Sequence, residues 1–161
     1  MANDDGICEL NMADFRAIAA LWREAKMWPH MGENRAWLEA ALARNPGLFL
    51  VYKEKGRVIG TALGAWDGLR GWLYRLAVKK EHRGRGIGTR LLAEVEKRLR
   101  AAGVRQVNVM VYEENQRGMD FYRERGYERS PVMVFRKRFG GRPVCGRRSA
   151  RQRQRGRKGR A

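Results

Sequence analysis

The scarcities of this chain each close off a class of protein. Cysteine occurs twice in 161 residues, as Cys8 and Cys145, with no Cys-x-x-Cys pair. One disulfide is formally allowed, but a disulfide framework is excluded and no zinc site is legible. The two histidines, His30 and His82, complete no metal-ligand spacing. No stretch approaches the roughly 18 apolar residues that a membrane-spanning helix needs. The segment Met1 to Cys8 is polar and acidic, unlike a signal peptide. The residues therefore predict a cytoplasmic protein with no metal and no membrane partner. No internal repeat is present.

Positive charge is abundant. Lysine and arginine number 35 against 17 acids, a net charge of +18. Nine of those cations fall in residues 140–161, which hold no acid, so the tail and the first 139 residues each carry +9. A hydrophobic content of 43% gives the longer part enough apolar side chains for one core. We expect a folded domain over 1–139 and an arginine-rich, disordered tail over 140–161. A basic surface attracts anions: a phosphorylated cofactor, nucleic acid or an acidic protein face. The tail suits electrostatic contact with nucleic acid or ribosomes through phosphates. It has no aromatic residue to stack bases, and a tail without a dedicated role is the plainer reading.

Periodicity lays out the elements. Ile7–Leu10 reads as a short strand. Asn11 then caps a helix, with Asp14 in a capping-box-like position and Phe15, Ile18, Ala19 and Trp22 on one face. Asn34 starts a second helix with Trp37, Leu38, Ala41 and Leu42 inward, ended by Asn45-Pro46-Gly47. Three strands follow, 48–53, 58–66 and 71–78, joined by turns at Glu54-Lys55-Gly56 and Asp67-Gly68. Ile87, Leu91, Leu92, Val95 and Leu99 make the stripe of a long helix closed by Gly103, with Glu94–Arg98 and Glu96–Arg100 as i, i+4 pairs. Val107, Val109 and Val111 alternate as a strand. Asn115 caps a helix through Arg125, and Tyr127–Phe139 is β-rich. The order β-α-α-β-β-β-α-β-α-β-β predicts an α/β (α+β) fold with a mixed, mostly antiparallel sheet.

The chemistry is concentrated where the third of those strands meets the long helix, in Leu76-Ala77-Val78, then Arg83-Gly84-Arg85-Gly86-Ile87-Gly88-Thr89. A glycine-rich turn opening a helix bares its first N–H groups at the positive end of the helix dipole. That makes an anion cradle from backbone, to which Arg83 and Arg85 add charge. No P-loop G-x-x-x-x-G-K is present. The dinucleotide spacing G-x-G-x-x-G fails too, since its sixth position is Thr89 or Leu91. What stands instead is Arg83-x-x-Gly86-x-Gly88. A second motif runs from Asn115 through Gly118, Phe121 and Tyr122 to Gly126-Tyr127.

Together these resemble the GNAT family of N-acetyltransferases over roughly residues 7–139. Within it, Val58-Ile59-Gly60-Thr61 and the turn 64–71 are similar to a small bacterial group around YpeA. The resemblance implies a GNAT fold in which a central strand pair splays apart and holds the pantetheine of acetyl-CoA. It implies cofactor contacts at Leu76, Ala77, Val78, Arg83, Gly84, Arg85, Gly86, Ile87, Gly88, Thr89 and Asn115. It also implies an oxyanion donor at the Val78 N–H and a catalytic acid at Tyr122, whose alternative is a core tyrosine. Acetyl would pass directly to an amine acceptor. The general base stays open. Met110 occupies the position where ribosomal-protein N-acetyltransferases carry glutamate, which leaves Glu113, Glu114, Asp67, Glu33 or a water relay. Trp22, Trp28, His30, Glu33 and Trp37 face the acceptor side in this reading, and Trp66 and Trp72 flank the hairpin turn. Two other readings remain: a nucleic-acid- or ribosome-associated basic protein on a GNAT scaffold, and an acyl-CoA sensor without turnover. The state is monomer or homodimer.

Overall fold

The computed structural model describes residues 5–27, 34–135 and 137. Every helix and strand falls within the unit Met1–Glu128. The elements are β1 (Gly6–Glu9), α1 (Phe15–Glu24), α2 (Arg35–Arg44), β2 (Phe49–Glu54), β3 (Arg57–Trp66), β4 (Gly71–Val78), α3 (Ile87–Ala101), β5 (Val107–Val109) and α4 (Gln116–Arg123). The strands form one sheet in sequential order, antiparallel up to β4, with β5 parallel to β4.

Local chemistry explains the connections. The β2–β3 hairpin turns on Lys55 and Gly56, with φ of 51° and 69°, the pattern of the tight turns that match strand twist. The β3–β4 turn is held by Asp67, whose carboxylate accepts from the N–H of Leu69 and Arg70 and from the Trp72 indole. Asn34 and Asn115 cap α2 and α4 by accepting from Trp37 N and Gly118 N. Asn11 caps a short 3-10 turn, Met12–Asp14, that leads into α1. Asp14 makes no capping bond. Its carboxylate pairs with Lys53 of β2 at 2.8 Å, so the capping-box expectation fails to a tertiary partner.

The two sheet faces are assigned by neighbouring residues of β3. Thr61 accepts from the Trp22 indole of α1, whereas a side chain at Gly60 would meet Leu91 and Ile87 of α3. Adjacent strand residues point to opposite faces, so α1 and α3 sandwich the sheet. The α3 stripe Ile87, Leu91, Leu92, Val95 and Leu99 is fully buried, as its spacing predicts. Burial of one such side chain contributes about 1.5–3 kcal/mol. Three glycines line the α3 side. A Cβ at Gly60 would stand 3.0 Å from Leu91, at Gly64 2.7 Å from Val95, and at Gly71 2.8 Å from Val104 and 3.2 Å from Leu99. Only bare backbone lets the helix lie this close.

Several expectations shift. Trp37 is 38% exposed while Leu38 is buried, so Trp37 sits off the inward face of α2. Glu96 accepts from the Tyr127 hydroxyl at 2.7 Å, and no pairing with Arg100 forms. Residues 127–135 and 137 carry no strand. Ser130-Pro131 breaks the run, and Val132, Met133, Val134 and Phe135 are exposed. The rest of the β-rich segment, with the tail and Cys145, lies outside the described residues. Among the described residues, no helix is long and apolar enough to cross a membrane, and no cluster of three metal-ligating side chains occurs.

Candidate active site

β4 is where the sheet opens. It pairs with β5 only at Gly71–Val107, Trp72–Asn108 and Leu73–Val109. Beyond Leu73 it bulges: its register against β3 shifts between Thr61 and Leu63, and Arg75 adopts φ 54°. Residues 74–78 therefore keep β3 on one side and have no β5 partner on the other. Lys79 N–H donates to Ile59 O at 2.9 Å, so by alternation the Val78 amide points away from β3, toward that gap. The Val78 carbonyl on the same side accepts from Arg83 Nε at 3.0 Å.

The glycine loop follows directly. Gly84 and Gly86 adopt φ of 80° and 74°, a region that penalises any Cβ, and a Cβ on either would point into open space. Gly86 is the N-cap of α3 and offers no side-chain cap. The first intrahelical bond is Arg90 N to Gly86 O, so the N–H groups of Ile87, Gly88 and Thr89 have no helical acceptor. The Ile87 side chain is core; only its backbone faces the loop. Gly88 differs from the other two. A Cβ there would make ordinary contacts, 3.6 Å and 3.7 Å to the Phe121 ring and 3.8 Å to Val78. That place has room for alanine as well as glycine.

Arg85 departs from the expectation. Its guanidinium engages both oxygens of Glu54 at the end of β2, and His82 Nε2 lies 3.2 Å from the same carboxylate. The hydrogen bond from Arg85 holds the Glu54 carboxyl below its usual range. Arg85 thus pins the loop to β2 rather than standing free over it. Arg83 stays on the gap side, on Val78.

α4 brings the second motif against this loop. Phe121 and Val78 meet at Gly88. The Tyr122 ring packs edge-on to Phe121 and Tyr127, with centroids 5.2 Å and 5.3 Å away. Burial pushes the Tyr122 phenol well above its ordinary range. Asn115 spends its side-chain oxygen on the α4 cap, 3.0 Å from Gly118 N.

Of the base candidates, Asp67 is committed to the β3–β4 turn, where three hydrogen bonds lower its pKa to about 2. Glu113 and Glu114 are exposed. Met110 is 52% exposed. Trp28, His30 and Glu33 lie outside the described residues. Trp22 is buried against Thr61, with the Arg75 guanidinium 4.9 Å from its ring, and is structural there. Trp66 is exposed on the hairpin, and Trp72 is tied to Asp67. A shallow depression of about 450 Å³ lined by Arg44, Pro46, Trp66 and Arg98 lies at the opposite end of α3 and shares no residue with the loop.

Sequence reasoning missed Arg125. It donates to the Thr89 hydroxyl at 2.7 Å and to the Phe121 carbonyl, with its guanidinium 3.7 Å from the Phe121 ring centre. Nothing local in sequence signals a bridge to a residue 36 positions away.

A parallel pair joined over three residue pairs, a glycine-opened helix beside it and a tyrosine-bearing helix packed on that helix's first turn make up the candidate site. Residues 5–127 match the acetyltransferase (GNAT) family, and the chain belongs to it. An acetyltransferase of Yersinia pestis (strain Pestoides F) is 33% identical over 126 residues, 78% of this chain and 89% of that protein. The fold is shared with solved structures. PaiA N-acetyltransferase of Thermoplasma acidophilum, in complex with coenzyme A, has a TM-score of 0.71 at 22% identity, covering 79% of this chain and 91% of that one. Naa20 of Chaetomium thermophilum, bound to a bisubstrate analogue, has a TM-score of 0.65 at 20% identity, covering 74% and 68%.

Proposed function

We propose that the chain moves an acetyl group from acetyl-CoA directly to an amine acceptor, a protein amine or a small-molecule amine. The observation that carries this is the open, uncapped start of α3 set beside the unpaired end of β4. Acetyl-CoA supplies the activated thioester. The N–H groups of Ile87, Gly88 and Thr89, with Gly84 and Gly86 bare of side chains, hold the pyrophosphate. Arg83 adds charge there, and Arg85 contributes through the shape of the loop. The edge of β4 at Leu76, Ala77 and Val78 lies along the pantetheine, and the Val78 N–H donates to the acetyl carbonyl. Asn115 fixes the start of α4 beside it.

Tyr122 faces the sulfur. A phenol near pKa 10 is already a weaker acid than a thiol near 8.5, and burial widens that gap. Tyr122 therefore stays protonated and donates a hydrogen bond to the departing thiolate rather than surrendering its proton outright. The acceptor ammonium gives its first proton to water, and the second, shed as the amide forms, reaches the departing thiolate through solvent; Glu113 and Glu114, both exposed, are the alternative bases. Thermal unfolding with and without acetyl-CoA, followed by an acceptor screen reading free CoA thiol, tests the reading. No thermal shift at saturating acetyl-CoA would sink it.

A further inference from the structure

We propose that Arg125 is a positioning residue that makes the placement of Tyr122 depend on the phosphate loop, an inference that rests on the reading of that loop as the acetyl-CoA site. Besides a 3.3 Å bond to the adjacent Glu124, three contacts to Thr89 and Phe121 converge on this one side chain. Its Nε and terminal amine donate to Thr89 Oγ1 at 3.1 Å and 2.7 Å. The other terminal amine donates to the Phe121 carbonyl. The guanidinium plane covers the Phe121 ring.

Thr89 lies in the first turn of α3, one residue after Gly88. Phe121 immediately precedes Tyr122. The bridge therefore runs from the turn that holds pyrophosphate to the peptide unit that aims the phenol. α4 needs such a tie. It has eight residues and no fully buried side chain, and Asn115 anchors only its start. Short helices of this kind depend on tertiary contacts for their order. At its other end, Arg125 and the hydroxyl of Tyr127 on Glu96 are the side-chain hydrogen bonds to α3. The planar fork suits this duty, because it reaches a hydroxyl and a carbonyl at once. Ordering the first turn of α3 on phosphate thus orders α4 through Arg125, and the phenol reaches its working position when the cofactor is seated.

The test is hydrogen–deuterium exchange on the full chain, with coenzyme A as the probe. In the wild type, coenzyme A slows exchange in peptides covering 84–90 and in those covering 116–123. In Arg125→Met, which keeps an apolar contact with Phe121, slowing at 84–90 stays and slowing at 116–123 is lost. Thr89→Val cuts the same bridge from the α3 side, keeps its backbone N–H and gives the same pattern; it carries the test if Arg125→Met does not fold. In turnover, both lower kcat by roughly 10- to 100-fold, the scale of a slight misplacement, and leave KM for acetyl-CoA within about threefold. Arg125→Lys recovers part of the loss, since one ammonium cannot span both acceptors. Equal slowing of α4 in wild type and both variants overturns the proposal. Absence of slowing at 84–90 in the wild type instead overturns the reading of the loop, and this inference with it.

Discussion

Two glycines at opposite ends of α3 allow a matched experiment on the phosphate loop. Gly86 and Gly103 both have positive φ, 74° and 90°, and a Cβ on either points into open space. Replacing either with glutamate forces an L-residue into the left-handed region, at about 1–2 kcal/mol. In a domain of this size that lowers Tm by roughly 3–8 °C. The helix dipole then separates the pair. A carboxylate at the C-terminal end of α3 is disfavoured by about 0.3–1 kcal/mol, and one at the N-terminal end is favoured by as much. Gly103→Glu is therefore the less stable of the two. Saturating acetyl-CoA at a hundred times its Kd adds about 2.7 kcal/mol to any form that binds it, close to 10 °C here. The expected result in thermal scanning is a crossing: Gly103→Glu melts lower but keeps the full acetyl-CoA shift, and Gly86→Glu melts higher and loses it. A full shift in Gly86→Glu would refute the assignment of the pyrophosphate to this loop.

Other outcomes follow from the same geometry. Gly88→Ala keeps the acetyl-CoA shift, because its Cβ meets Phe121 and Val78 at ordinary contact distances; loss of the shift would contradict that packing. Tyr122→Phe retains acetyl-CoA binding and ring packing but lowers kcat by roughly 100- to 1,000-fold, the range of a lost transition-state hydrogen-bond donor; unchanged kcat in a CoA-thiol assay would remove Tyr122 from the chemistry. Thr61→Val strands the buried Trp22 indole N–H, which now donates at 3.0 Å. Urea unfolding should show a loss of about 1–3 kcal/mol. Asp67 has a folded pKa of about 2 against an ordinary 3.8. Its contribution to stability is whole above the ordinary value and disappears as pH falls through about 2. Asp67→Asn should flatten the acid limb of a denaturation series from pH 5 to 2, and an unchanged slope would count against the turn's hydrogen bonds.

What could be read from the sequence was whatever short-range chemistry controls. Lys55-Gly56 demands a hairpin, Asn34 and Asn115 demand caps, and five apolar residues at helical spacing demand a buried stripe. The loop Arg83–Thr89 was legible for the same reason: strand, glycines and helix stand in one continuous run. Long side chains were not legible. Asp14, Arg85 and Glu96 each had a local partner or role by spacing, and each took a distant one instead: Lys53, Glu54 and Tyr127. A flexible charged side chain reaches several candidates of similar energy, so the fold decides among them. Arg125 belongs to that class.

The bare track under α3 matters far from where it lies. Gly60 and Gly64 of β3 and Gly71 of β4 let a rod of 15 residues, about 22 Å long, rest flush on the sheet. A rod seated on a flat bed has a fixed heading, so the bed aims its tip. A single methyl at Gly64, under the middle of the rod, would lift it about a fulcrum and swing the first turn away from the end of β4. The aperture proposed to receive phosphate is thus set by the absence of side chains two and three turns away, and sensitivity to substitution there would register as weakened anion binding as well as lost stability.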